Sequence, residues 1–139
     1  MASVATTWHN RDVKARARGM WWGCALEAPD PAALASFYSE LLDWPISHQE
    51  SGTTVLATPE GSMYVVFQEA TGYTAPVWPP LRGEQRPMMH LDFQVSDLDA
   101  AVAEAVTLGA VLADHQPQES VRVLFDPAGH PFCLCRDDG

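Results

Sequence analysis

The sequence has little of what a membrane, secretory or nucleic-acid-binding protein needs. Its longest purely apolar runs are a few residues, such as Tyr64-Val65-Val66-Phe67, far short of the ~20 residues of a membrane span. No apolar stretch follows the N-terminal basic residues, as a secretory signal requires. Cysteines number three, which fits neither a disulfide framework nor a four-ligand zinc site. Positive charge is scarce: 8 basic residues, with Lys14 the sole lysine, face 18 acidic ones for a net charge of −10. Residues 1–19 hold Arg11, Lys14, Arg16 and Arg18 against Asp12, a net of +3, so residues 20–139 carry −13. A body that acidic repels phosphate backbones and anionic lipid. Nucleic acid and membrane are therefore not expected as partners. What is present, 139 residues at 47% hydrophobic, suits one globular domain, expected in the cytoplasm, behind a mobile basic leader over 1–19.

Two helices are written plainly. Asp30 can cap the first, Pro31 sits where its missing N–H costs nothing, and Leu34, Phe37, Tyr38, Leu41 and Leu42 make one apolar face. Ser96 or Asp97 can cap the second, whose stripe is Leu98, Ala101, Val102, Ala105 and Leu108 before Gly109. The spacing predicts helices near 31–42 and 97–108. Strand-like runs precede them at 23–28 and 89–95. Others follow at 54–57, 63–68, 111–113, 120–125 and 132–135, with a weak one near 46–48. Turns are expected at Pro59-Glu60-Gly61 and Asp126-Pro127-Ala128-Gly129.

Both halves thus read βαβββ, and they match in sequence. At an offset of 67, Leu26 falls on Phe93, Ala28 on Val95, Asp30 on Asp97, Ala33 on Ala100 and Leu41 on Leu108. Phe67-Gln68 is matched, after small offset changes, with Phe132-Cys133. The fold class expected is α+β: two βαβββ repeats forming a curled, concave mixed sheet with helices on the outer face. One repeat covers about 22–70, a linker 71–87, and the other about 88–136, within a single domain over 20–139.

The segments Asp30–Tyr38 with Leu41-Leu42-Asp43-Trp44, Met89-His90-Leu91-Asp92-Phe93, and Asp126–Cys133 resemble the vicinal oxygen chelate superfamily. That superfamily includes glyoxalase I, extradiol dioxygenases and bleomycin-resistance proteins. The resemblance covers about 22–136 and is nearest to the small bacterial glyoxalase-like domain proteins. It implies a ligand or metal cavity and a homodimer, the latter also suggested by sheet edges that need covering. Family metal ligands come from the first and last strands of each half. His90 keeps the expected imidazole. Its counterpart is Gly23, and Gln68 and Cys133 stand where carboxylates would be expected. No resident metal or other cofactor is therefore expected. A divalent ion remains the lesser alternative, with His90, Cys133 and Gln68 as its candidate ligands and Glu27 or Asp92 as further donors.

Strand alternation puts Asp92 and Gln94 on the face of His90, with Leu91, Phe93 and Val95 beneath the helices. Glu27 is the repeat counterpart of Gln94. The candidate ligand-binding set is Glu27, Trp44, Gln68, Trp78, His90, Asp92, Gln94 and Cys133, with His90 and Asp92 as candidate acid–base residues. Each has a structural reading beside the functional one. His90 and Asp92 can be a satisfied pair, Cys133 and Cys135 small packers, His130 a turn residue, and the tryptophans core. The preferred function is small-molecule binding of the resistance or sequestration type, without the usual catalytic metal. A metal-independent lyase or isomerase using His90 and Asp92 comes next, and a metal-dependent glyoxalase or dioxygenase third.

Overall fold

A computed structural model describes residues 17–136; most of the expected leader, residues 1–16, lies outside the described residues. The chain forms β1 (Trp22–Ala28), α1 (Pro31–Leu42), β2 (Ile46–Glu50), β3 (Thr53–Ala57) and β4 (Met63–Glu69). The same series then recurs as β5 (Leu91–Val95), α2 (Leu98–Leu108), β6 (Val111–Leu112), β7 (Val121–Phe125) and β8 (Pro131–Arg136).

Matching residues start both helices. Asp30 accepts a hydrogen bond from the Ala33 N–H and Asp97 from the Ala100 N–H, each at 3.1 Å. These caps satisfy donors that a helix start leaves free. Asp43 in the left-handed region ends α1, and Gly109 ends α2.

Each repeat builds a four-stranded mixed sheet, in the orders β1-β4-β3-β2 and β5-β8-β7-β6. The first strand runs parallel to the last, and the other pairs are antiparallel. Two sheets form rather than one continuous sheet.

One face of each sheet is buried under the helices. Leu56, Val65 and Phe67 of the first, and Leu124, Phe132 and Leu134 of the second, meet Leu34, Phe37 and Tyr38 of α1 in one core. Tyr38 joins the halves through its ring and its hydroxyl. The ring lies 5.7 Å from Phe67 and 5.8 Å from Phe132. The hydroxyl donates to Asp126 Oδ2 at 2.7 Å, across 88 residues of sequence. Asp126 is buried but well supplied with donors, since Oδ1 also accepts from the Ala128 and His130 N–H groups. Its other neighbour, the His130 ring, lies 2.9 Å from Oδ2. A buried carboxylate with this many donors offsets its desolvation. His130 is thus a turn residue tied to Asp126. Burial first, and Asp126 second, raise the Tyr38 hydroxyl well above its usual pKa.

The register corrects one sequence match. Leu26 pairs with Phe67 and Phe93 with Leu134, so the offset of 67 persists into the last strands. Gln68 is therefore the counterpart of Cys135, and Val66 that of Cys133. Strands repeat every two residues, so a slip of two keeps the face right and the position wrong.

Candidate functional site

The opposite face of each sheet is open. Glu27 and Gln68 on the first, and Asp92 and Gln94 on the second, are all exposed. Charged and amide groups can stand there at little desolvation cost, and water can serve as their partner.

On the second sheet the alternation His90-Leu91-Asp92 sends His90 and Asp92 to one side. His90 immediately precedes β5, one residue outside the strand that the sequence suggested would contain it. Asp92 faces Cys133 directly across the parallel β5–β8 pair. The result is a compact cluster. His90 Nε2 is 3.1 Å from Asp92 Oδ1, and donor atoms of His90, Asp92 and Cys133 lie within 4.8 Å of one another. The His90 and Asp92 side chains are 52% and 59% exposed, so the cluster is open to a ligand. Burial, then the Asp92 carboxylate, pushes the Cys133 thiol up to about 12. Burial and Asp92 raise Cys135 as well. Neither cysteine is a free thiolate nucleophile near neutral pH.

A cavity of about 580 Å³ lies over the cluster, walled by Trp78, Met88, Met89, Val121 and Cys135. Trp78 is braced by His115, with ring centroids 5.2 Å apart. A neighbouring cavity of about 590 Å³ is lined by Trp22, Trp44, Met63, His90, Asp92 and Gln94. There Trp44 packs edge-on against Phe93.

The sequence-derived residues therefore divide. His90, Asp92, Cys133 and Trp78 meet in one cavity, and Trp44 and Gln94 adjoin it. Glu27 and Gln68 pair across β1 and β4 of the other sheet. Glu27 lines a third cavity of about 460 Å³, with Tyr73, Arg86 and His130. Met88 and Met89 line all or most of these hollows and were not anticipated. The available signal was two adjacent, unbranched apolar side chains immediately before His90.

The first sheet has no equivalent cluster at the matching positions. Gly23 stands where His90 does, and a Cβ there would come 2.5 Å from the Tyr64 carbonyl oxygen and 2.8 Å from its ring. Tyr64 also packs against Trp21, with ring centroids 4.9 Å apart. Ala25 and Val66 replace Asp92 and Cys133.

The model of the glyoxalase-like domain family matches residues 23–135. No curated protein matches the sequence. Among solved structures, a glyoxalase/bleomycin resistance protein/dioxygenase family enzyme from Burkholderia phytofirmans PsJN aligns with a TM-score of 0.61 at 17% identity, covering 82% of this chain and 95% of that one. A possible glyoxalase from Bacillus cereus gives 0.63 at 13% identity, over 86% and 99%. The fosfomycin resistance protein FosX from Listeria monocytogenes, complexed with Mn(II) and sulfate ion, gives 0.63 at 13% identity, over 82% and 86%. At these identities the likeness is one of fold.

Proposed function

The chain belongs to the glyoxalase-like domain family, and from that premise we propose that it binds a small organic molecule on the open face of its second sheet, in the manner of a resistance protein. The observation that carries this reading is the convergence of His90, Asp92 and Cys133 under a cavity of about 580 Å³ walled by Trp78, Met88 and Met89. An apolar wall with a few convergent polar groups is the usual form of a small-molecule site. The aromatic face of Trp78 suits a planar or cationic group, and the net charge of −10 draws a cation toward the protein. The protein acts as a homodimer in the cytoplasm. Exposed Trp21, Trp22, Met88 and Met89 beside the open sheets support pairing, and three free thiols suit a reducing compartment. No helix among the described residues is long and apolar enough to cross a membrane.

The manganese-type ion of a neighbouring structure does not fit this cluster. Hard ions favour sets of carboxylate, carbonyl and water oxygens. Here one carboxylate is joined by an imidazole and a thiol, and the matching residues of the first sheet are Gly23, Ala25 and Val66. A second reading, acid–base catalysis, is favoured by the 3.1 Å His90–Asp92 contact, in which the carboxylate fixes the ring and its other nitrogen moves the proton.

A melting screen against cationic and polar drug-like molecules, with tryptophan fluorescence as a second readout, tests the proposal. At least one molecule should raise Tm in the native protein and much less in His90→Ala and Trp78→Ala. A panel without any stabilising molecule, or one that stabilises all three proteins equally, contradicts it. Conversion of the bound molecule to product, abolished in His90→Ala, would favour the second reading.

A further inference from the structure

We propose that Tyr73, His130 and buried Asp126 form a latch that seats the segment between β4 and β5 on the second half, and so holds Trp78 over the cavity of the second sheet. Its role in binding rests on the reading of that sheet as the binding face; the latch itself rests on contacts alone. The Tyr73 hydroxyl donates to the Ala128 carbonyl at 2.8 Å and lies 3.3 Å from His130 Nε2. On the other side of the ring, Nδ1 is 2.9 Å from Asp126 Oδ2. A carboxylate only accepts, so Nδ1 carries a proton, and in the neutral ring Nε2 is an acceptor turned toward the Tyr73 hydroxyl. Asp126 is fixed in its turn by Tyr38 and by the Ala128 and His130 N–H groups. The His130 side chain is 16% exposed and that of Asp126 not at all, so water competes poorly for these bonds. Burial first, then Asp126 and Glu27, push the Tyr73 hydroxyl up to about 12, and it stays a donor through neutral pH. The backbones also meet closely here. Gly129 has φ +91°, and a Cβ on it would come 2.8 Å from the Ala75 Cβ, so glycine suits both the turn and the approach of the segment.

From the latch the segment leads straight to the cavity wall. Trp78 follows a few residues on, lines the cavity of about 580 Å³ and packs on His115. The Val77 N–H donates to the Gln85 carbonyl at 2.8 Å, which ties the outgoing leg of the segment to the returning one. The returning leg brings Pro87, Met88 and Met89 to the same wall. Two anchors therefore hold that wall against the second half, the latch at 73–75 and the His115 ring. Tyr73 and His130 line the neighbouring cavity of about 460 Å³ and not this one. They are positioning residues, and they reach a ligand on the second sheet through Trp78.

The test compares the full-length protein with Tyr73→Phe by amide hydrogen exchange. Loss of the hydroxyl should speed exchange across residues 73–89 roughly 5-fold, as the loss of one hydrogen bond does, and leave the amides of α1 at their native rates. His130→Ala should loosen the same segment. Because it also strips a partner from buried Asp126, Tyr73→Phe decides the matter if His130→Ala fails to fold. Acrylamide quenching of tryptophan emission reads Trp78 itself. Tyr73→Phe should raise quenching in the native background and change nothing in Trp78→Phe, a coupling that a merely structural loss would not produce. Unchanged exchange over 73–89, exchange raised equally in α1, or quenching raised as much without Trp78, overturns the latch. Binding is measured separately with thioflavin T, a planar organic cation. Tyr73→Phe should weaken it by about 2–10-fold, and should weaken it no further in Trp78→Ala. Loosened exchange with dye bound as tightly as by the native protein defeats the role of the latch in binding. Loosened exchange with no dye bound by any of the proteins counts against the binding reading and leaves the latch standing.

Discussion

The two sheets share strand order, parallel and antiparallel pairing, and even the offset of 67 between equivalent residues. Yet they carry different chemistry. At matching positions the first has Gly23, Ala25 and Val66, which offer no side-chain donor, and the second has His90, Asp92 and Cys133 under a cavity. Buried faces must keep apolar volume to hold the helices, whereas open faces are free to differ. The duplicated scaffold fixes where side chains point, and only a few residues decide whether a face becomes a site.

That comparison can be broken in several places. The largest loss should come from the shared core, which both faces rest on. Phe132, fully buried against Phe37 and Tyr38, should cost ~3–5 kcal/mol on replacement by alanine, read by urea denaturation. Placing the second sheet's residue in the first is the sharper test. Gly23→His meets the Tyr64 backbone oxygen as well as its ring, and should destabilise by ~1–3 kcal/mol through overpacking. The reverse change, His90→Gly, should cost much less because the side chain is half exposed.

Tyr38→Phe tests the link between halves. It removes a donor from buried Asp126 and should cost ~1–3 kcal/mol. The sign of its pH effect follows from the raised Tyr38 pKa. The folded state holds the phenol proton more tightly than the unfolded chain. The contribution is therefore complete below the unfolded pKa near 10 and is lost as pH rises through the folded value. Tyr38→Phe should flatten that alkaline decline, visible in melts across alkaline pH. The smallest expected effect is His90→Ala on stability, within about 0.5 kcal/mol for an exposed pair.

Much of this was legible because local chemistry and periodicity agreed. Asp30 and Asp97 cap the helices, and the stripes beginning at Leu34 and Leu98 place them on the sheets. The face of Asp92 was readable from alternation. That the face is open was not, because alternation separates two sides of a strand without saying what covers either. The match of Gln68 with Cys133 failed because equal residue types two positions apart satisfy the same pattern, and only the hydrogen-bonded register separates them. Tyr38 reads as core from its spacing, but its bond to Asp126 depends on tertiary contact across 88 residues. The Asp92–Cys133 contact likewise depends on pairing between β5 and β8.

The central claim is that the second sheet, rather than the first, holds the ligand. A crystal structure of the protein with the molecule that most raises its melting temperature tests this directly. Density for that molecule is expected against Trp78, His90, Asp92 and Cys133. Density instead on the face of Glu27 and Gln68, with the second sheet's cavity empty, would contradict it.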